Sequence, residues 1–232
     1  MKRLLFATVV LAVLMLGGCA EMPDGYDTVK AAKEKYASLD SVKTVMTDLT
    51  TGEQIMEFSF FFNSNDEMVL NYYGKDGGDE MYAYSNGAEY FYKEPGAEMW
   101  SVIGADDESY IYNLYNREYR YPYAEGGIFF LDAGSVETAS VVTGADGSCV
   151  VTYTYDADKL NDSTKGMLEG VESFSALETV FEIDKDGFIT EFTETGIVTN
   201  DDGETCDVNM CISVSMMNEI HDIPYPVDRL DK

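Results

Sequence analysis

The sequence is poor in the residues on which most catalytic and metal sites depend. Its 232 residues include one histidine and four cysteines, and no two cysteines form a C-x-x-C pair. A single histidine leaves few nitrogen ligands for a zinc ion, and no nucleophile-elbow pattern accompanies His221. We therefore expect His221 to be structural or exposed, and we predict no catalytic residue, no metal and no cofactor. Paired carboxylates for glycoside cleavage stay an open alternative, although no pair stands out among so many acids.

Positive charge is also scarce. The chain has 15 lysines and arginines against 43 aspartates and glutamates, which gives a formal net charge of −28. Such a charge argues against a nucleic-acid partner and against docking of a bare protein face on anionic lipid. The acids are scattered over predicted turns and outward strand positions, as is typical of a solvated surface. The acidic segments 184–187 and 201–203 lack the spaced oxygen ligands of a calcium loop, so we interpret them as hairpin turns.

The N-terminus has the order of a secretory signal peptide: two basic residues, an apolar run over residues 4–16, and small residues before Cys19. The Leu-Gly-Gly-Cys sequence resembles the lipobox of bacterial lipoproteins. The resemblance implies cleavage after Gly18, a diacylglycerol on the Cys19 sulfur, and a lipid anchor at the extracytoplasmic face of the cell membrane. Residues 1–18 are then a removed signal peptide and 19–26 a short tether. A plain signal peptide or a membrane anchor is the alternative, but the apolar run is short for a span of ~20 residues.

Three cysteines remain once Cys19 carries lipid. Cys206 and Cys211 are five residues apart in a predicted strand, which puts them ~16 Å apart on opposite faces and beyond disulfide reach. Cys149 and Cys206 share the parity of the inward residues of their strands, so a Cys149–Cys206 bond is the better geometric prediction. Three free thiols are the equal alternative, because buried cysteine packs as a small hydrophobe.

Hydrophobic periodicity divides the rest of the chain into helices and many short strands. Apolar residues at helical spacing predict a helix over Asp27–Leu39 with Asp27 as its N-cap. From Val42 the period becomes two, and turns such as 86–87 separate antiparallel strands. Acids at its start and arginines at its end predict a second helix over Asp106–Tyr119, followed by an irregular covering loop. A short helix is predicted at Asp162–Glu172, and the prolines of 223–226 predict an extended tail.

This order of elements resembles the LolA/LolB and LppX-type group of lipoprotein and lipid carriers. The shared features are a lipidated cysteine, a short tether, an amphipathic helix, a long meander, a helical interruption, further hairpins and a final strand before Ile-Pro-Tyr-Pro. The resemblance covers most of residues 24–226. It implies one α+β domain over 27–232, built on a strongly curved, incompletely closed antiparallel β-sheet, a half-barrel, with helices packed on its concave face. Such a likeness does not by itself assign an activity.

Seventeen tyrosines, twelve phenylalanines and twelve methionines concentrate on strand faces that are predicted to point inward. If part of this surface stays open, it suits an acyl chain or another apolar ligand. If helices fill it, it is ordinary core, and an acidic outer face that meets an envelope protein partner or acts as a scaffold is the alternative. We predict a membrane-anchored, non-enzymatic lipoprotein that binds an apolar or lipid-like ligand between helix and sheet. The candidate ligand-binding residues are Met56, Phe58, Phe60, Phe62, Met68, Leu70, Tyr72, Tyr115, Met210 and Ile212.

Overall fold

The computed structural model of the chain describes residues 22–76, 78–103, 123–165 and 171–225. Two α-helices lie in these ranges, α1 (Tyr26–Ala37) and α2 (Ala157–Thr164), with one 3₁₀ turn at Ala133–Ser135. The eleven strands are β1 (Ser41–Asp48), β2 (Gln54–Phe62), β3 (Met68–Asp76), β4 (Asp79–Asn86), β5 (Tyr90–Lys93), β6 (Ser101–Ile103), β7 (Val136–Thr143), β8 (Cys149–Tyr155), β9 (Val171–Ile183), β10 (Ile189–Asn200) and β11 (Thr205–Ser215).

All the strands belong to one sheet in the order β6-β5-β4-β3-β2-β1-β11-β10-β9-β8-β7, and each pair is antiparallel. The chain builds the sheet as two meanders, β1 to β6 and β7 to β11. The pairing of β1 with β11 joins them side by side. In the described part of the chain, β6 and β7 stand at opposite edges, so the sheet is open. The predicted α+β class and the unclosed antiparallel sheet are therefore confirmed.

One face of the sheet carries the main core, and we call it the inner face. In β2, Phe58 and Phe60 are fully buried. Phe58 lies opposite Thr44 of β1 and Tyr72 of β3, and residues directly opposite in a sheet share a face. The second meander contributes fully buried Phe192 to the same core cluster. The aromatic residues that sequence periodicity placed on one side are thus gathered from both meanders.

Helix α1 packs on this core through Val29, Ala32 and Tyr36. The Tyr36 hydroxyl lies 2.9 Å from the hydroxyl of Thr44 on β1. At the last turn of the helix, the Lys35 ammonium sits 4.1 Å from the centre of the Phe188 ring, within the range of a cation–π contact. The helix predicted over Asp27–Leu39 is therefore confirmed, with both ends within two residues.

The predicted cap of α1 is wrong. Gly25, with φ 77°, stands at the N-cap, and no side chain caps the helix. A Cβ at this position would lie 2.9 Å from side-chain atoms of both Val141 and Val151. The left-handed backbone and the lack of space both favour glycine, so tertiary packing and not the Asp27 carboxylate fixes where α1 begins.

The short helix predicted at Asp162–Glu172 is displaced in the structure. Helix α2 begins earlier because the Asp156 carboxylate accepts hydrogen bonds from the backbone N–H groups of Asp158 and Lys159, which is the N-cap arrangement. By Val171 the chain has already entered β9. The helix predicted over Asp106–Tyr119 lies outside the described residues.

The segment Tyr123–Asp132, which we call the covering segment, connects the two meanders across the inner face. Its Tyr123 ring lies 5.5 Å from Phe58, and its Phe130 ring lies 5.6 Å from Tyr155 on β8. The covering loop predicted up to Phe130 is confirmed for these residues. Because the segment touches both meanders, it holds the two halves of the sheet under one layer.

Residues 216–225 run along the opposite, outer face. The Asn218 N–H donates to the Ser41 carbonyl at 2.8 Å, and the Tyr225 ring packs edge-on against Tyr84 and Phe91 at 5.4 and 5.6 Å. No helix or strand is assigned to 221–225, so the predicted extended tail is confirmed there. None of the described helices is long and apolar enough to cross a membrane.

The predicted Cys149–Cys206 disulfide is wrong, because the described cysteines are free. Cys149 pairs with Ile183, which is opposite Ile189 at the start of β10. Cys206 pairs with Val198 near the end of β10. Nine residues separate these positions along the strand, or about 30 Å at 3.3 Å per residue. Shared parity placed both thiols on the same face but said nothing about their distance along it.

Candidate functional site

The inner face is divided into two regions. The covered region lies beneath α1 and the covering segment, and its members are 0% exposed: Phe58, Phe60, Phe181, Phe192 and Ile212. The half-open region lies further along β10 and β11, and its members keep part of their surface accessible: Glu194, Cys206, Val208 and Met210. The two regions meet within β10 and β11, where Phe192 precedes Glu194 and Met210 precedes Ile212 on one face.

Aromatic rings link the layers of the covered region. The Phe129 ring of the covering segment meets Tyr36 of α1 edge-on, with ring centres 4.9 Å apart. The same ring lies 5.7 Å from Phe192 on β10, and Phe192 lies 4.9 Å from Phe181 on β9. Edge-to-face pairs at these separations add about 0.5–1.5 kcal/mol beyond the burial of their area. Helix, segment and sheet are therefore packed as one continuous core.

The buried polar groups at the contact of α1 with the covering segment and β1 have hydrogen-bond partners. The Lys33 ammonium donates to the Phe129 carbonyl at 2.5 Å, and burial lowers the pKa of Lys33 to about 8. Burial also raises the pKa of Tyr36 above its usual range, and its hydroxyl is paired with Thr44. Since a buried polar group without a partner is costly, these bonds hold α1 and the covering segment in place. The covered region is core rather than a pocket.

The half-open region continues the apolar face beyond this layer. Ile212 of β11 is fully buried, whereas Met210, Val208 and Cys206, two, four and six residues earlier, are only partly buried against the margin of the core. Strands β9, β10 and β11 contain 13, 12 and 11 residues, so they extend beyond the shorter strands. An apolar strip on β11 thus stays accessible at the edge of the core.

Glu194 is the charged residue of this strip. It lies opposite Met210 of β11 and Thr179 of β9. Burial raises the pKa of its carboxyl to about 7, although the side chain keeps some accessible surface. Both properties are expected of a group that protein surrounds but that water still reaches. In the described part of the chain, Glu194 has no hydrogen-bond or ion-pair partner.

Hydroxyl groups lie beside Glu194. The Tyr155 and Thr179 hydroxyls are 3.0 Å apart, and Thr179 is fully buried. Burial, followed by smaller effects that include the nearby Glu194 charge, raises the pKa of Tyr155 above its usual range. The Tyr153 hydroxyl on the same strand is buried and has no hydrogen-bond partner among the described residues, and burial raises its pKa to about 12. A small polar patch therefore interrupts the apolar inner face.

The predicted ligand-binding residues are distributed over both regions and the far end of the sheet. Six are at most 3% exposed and belong to the core: Met56, Phe58, Phe60, Met68, Leu70 and Ile212. Three are partly accessible: Phe62, Tyr72 and Met210. Tyr115 and the lipidation candidate Cys19 lie outside the described residues. The contact of any of them with a ligand stays a prediction, and the three accessible residues are the better placed.

Glu194 was missed by the sequence reasoning, which treated the acids as solvated surface. A signal was present, because Glu194 shares its parity in β10 with the apolar residues Phe192 and Val198. The roles of Phe129 and Tyr155 in covering and flanking the site had no such signal, because they depend on contacts across the fold.

A cleft of about 400 Å³ lies at the other end of the sheet, beside the start of β1. The Asn218 side chain there accepts a hydrogen bond from the Asp40 N–H at 2.8 Å, and Asn218 adopts a positive φ of 59°. His221 lines this cleft and is exposed, as predicted. The other lining residues are Ser41, Phe61, Phe62, Asn63, Ser64 and Ile220.

The acidic turns are structural. The Asp184 carboxylate accepts hydrogen bonds from the N–H groups of Asp186 and Phe188, and Gly187 supplies a φ of 81°. This confirms the interpretation of 184–187 as a hairpin turn. Among the residues that the structure describes, no group of three or more histidine, cysteine, aspartate or glutamate side chains could hold a metal ion.

Comparison with known proteins gives a likeness of fold only. No family model and no curated protein matches the chain. The crystal structure of LprF from Mycobacterium bovis is similar at a TM-score of 0.46 and 14% identity, over 89% of this chain and 99% of that one. The structure of MucB in complex with MucA is similar at a TM-score of 0.17 and 9% identity, over 83% and 94%. At these TM-scores, function is argued from the residues of this chain.

Proposed function

We propose that the protein is a membrane-anchored, extracytoplasmic lipoprotein that binds an apolar or lipid-like ligand and is not an enzyme. The observation that carries this proposal is the apolar strip of Cys206, Val208 and Met210, which continues the core beyond its covering layer and stays partly accessible. Core residues are normally closed off from water. A strip that is continuous with the core but open at its edge can take up an acyl chain without a large rearrangement.

The proposal includes a half-barrel shape with both helices on the concave side. The strand pairings shift register in β1, β7 and β10, and such bulges bend a strand and increase its twist. Leu160 of α2 and Val29 of α1 belong to the same core cluster, which favours one side for both helices. A concave inner face would give the apolar strip two walls.

The energy of such a site is sufficient for useful binding. Burial of an acyl chain is favourable by ~0.8 kcal/mol per CH₂ group. About ten buried methylenes therefore supply roughly 8 kcal/mol, which corresponds to micromolar affinity. A groove that covers only part of a chain is enough, and flexible Met210 can adapt to chains of different shape.

The proposal is tested by native mass spectrometry of the full chain released from detergent micelles. We expect a co-purified lipid or added hexadecanol to bind at one equivalent. Absence of binding by the folded wild-type protein would contradict the proposal. It would favour an acidic surface that meets a protein partner of the cell envelope.

The anchor is tested separately. Within the proposal, lipid on Cys19 holds a domain of residues 27–232 close to the membrane, because α1 begins only seven residues later at Tyr26. Cys19→Ala should release the protein from membranes or block its processing. Cys206→Ala is the matched control and should stay in the detergent phase. If the Cys19 variant partitions as wild type does, the anchor is not at Cys19.

A further inference from the structure

The most informative group outside the apolar core is the Glu194 carboxyl. It lies on the inner face between Met210 and Thr179, at the point where the covered region gives way to the half-open region. An ionised carboxyl removed from water without a partner is unfavourable. Such a group takes up a proton, or its charge is paired with a protein cation or with a ligand.

The described groups around Glu194 do not supply that cation. Glu194 faces Met210 of β11 and Thr179 of β9. On β8, Tyr153 lies opposite Thr179, and Tyr155 is near enough that, after burial, the Glu194 charge also raises the pKa of its hydroxyl. The Tyr155 and Thr179 hydroxyls are paired with each other. Lys33, the partly buried lysine of α1, donates instead to the Phe129 carbonyl. In the residues that the structure describes, no lysine or arginine contacts Glu194.

We propose that Glu194 binds the amine end of an amphiphilic ligand whose hydrocarbon chain lies along Met210 and Val208. This inference rests on the proposed function and names the class of its ligand: a long-chain amine or an amine-bearing lipid. An ammonium group beside a partly buried carboxylate forms a charge-assisted hydrogen bond that is stronger than a neutral one. The position of Glu194 between apolar strip and polar patch gives such a ligand one orientation.

The net charge of the whole protein also favours a cationic ligand. With 43 acids against 15 bases, the chain attracts cations and repels fatty acid anions. The raised pKa of Glu194 is consistent with a carboxyl that has no cationic partner among the described residues. General attraction to the protein would not depend on Glu194 in particular, and this difference is what an experiment can measure.

The test compares hexadecylamine with hexadecanol, which has the same chain and no charge, in separate titrations of the full chain at pH 8 by native mass spectrometry. The wild-type protein should bind the amine at least about tenfold more tightly than the alcohol, since tenfold is 1.4 kcal/mol. Glu194→Gln should bring the two affinities within about twofold of each other. Glu191→Gln, on the outer face of the same strand beside Ser213, removes the same charge and should leave the preference intact.

The outcomes separate the inference from the proposed function. Binding of the alcohol and the amine with equal affinity by the wild-type protein overturns the inference but supports the apolar site. An equal loss of preference in both glutamine variants also overturns it, because a general charge effect is then sufficient. Failure of both ligands to bind removes the site itself. If Glu194→Gln does not melt cooperatively, Glu194→Met, which extends the apolar strip, is titrated in its place with the same expectation.

Discussion

The covered and half-open regions belong to the same strands and face, yet they differ in almost every property. Phe192 and Glu194 are two residues apart in β10. Phe192 is fully buried and meets rings of Phe129 and Phe181, whereas Glu194 is a carboxyl with accessible surface and no partner among the described residues. The strand backbone continues unchanged between them. The layer above the sheet therefore decides which part of an apolar face is core and which part is available to a ligand.

The largest expected effect is the loss of stability on truncation in the covered region. Phe58 is fully buried, with ring contacts to Phe60 and Tyr123 at 5.6 and 5.5 Å. Phe58→Ala should lower the free energy of unfolding by about 3–5 kcal/mol, because it removes buried area and leaves a cavity. Urea denaturation followed by circular dichroism measures this loss.

The matched control is Phe62→Ala at the end of the same strand. Phe62 is partly accessible and lies beside Phe60, so its truncation should cost much less than that of Phe58. Equal losses for the two variants would mean that the covered region is not the more tightly packed one.

The second effect concerns Glu194 and pH. Folded Glu194 keeps its proton up to about pH 7, whereas its ordinary pKa is 4.5. Between these values the folded state binds more protons than the unfolded state, so stability falls as pH rises through the window. Near pH 4 the free energy of unfolding of Glu194→Gln should therefore equal that of the wild-type protein. Above pH 7 it should exceed the wild-type value by on the order of 3 kcal/mol.

The difference between wild type and variant isolates this group from the other acids, which titrate in both proteins. Glu191→Gln on the outer face should show no comparable difference across the same pH range. A wild-type protein that gains stability relative to Glu194→Gln as pH rises would show that a cation partner holds the carboxylate in the folded state.

Much of the fold was accessible from the sequence because it depends on local patterns. Period-two alternation is a property of each strand alone, and it identified the inner parity of β2 and β11 correctly. Helix α1 was found for the same reason, since Val29, Ala32 and Tyr36 repeat at helical spacing and all pack on the core. The antiparallel pairing followed from the short turns between these strands, whereas the incomplete closure of the sheet was implied by the resemblance to the carrier group.

The errors arose where a distant contact decides the outcome. The cap of α1 depends on Val141 and Val151, more than a hundred residues away. The division of the inner face depends on Phe129, which no strand pattern could place over Phe192. Parity alone therefore placed Met56 and Met210 on the inner face. It could not show that Met56 is covered and that Met210 is partly accessible.

These two methionines provide the third test. Met210→Ala should weaken binding of hexadecanol about tenfold, or 1.4 kcal/mol, and should lower stability only slightly, because the side chain is already partly accessible. Met56→Ala should instead lower the free energy of unfolding by about 2–5 kcal/mol with little direct effect on binding. Titration and urea denaturation of both variants give the comparison. An opposite ranking would place the ligand in the covered region.

The smallest expected effect is protection of a thiol. Cys206 lies in the half-open region, while Cys149 lies near the other end of the sheet, and both are partly accessible. A chain along the apolar strip would shield Cys206, so saturating hexadecanol should slow its alkylation by iodoacetamide about threefold. Cys149 serves as the internal control and should react at an unchanged rate. Burial raises the pKa of its thiol, and a ligand in the half-open region leaves the burial of Cys149 unchanged. Peptide-resolved mass spectrometry reads both rates from one sample. Protection of Cys149 alone would place the ligand at the opposite end of the inner face, whereas equal protection of both thiols would indicate a general tightening of the fold and not a chain in the half-open region.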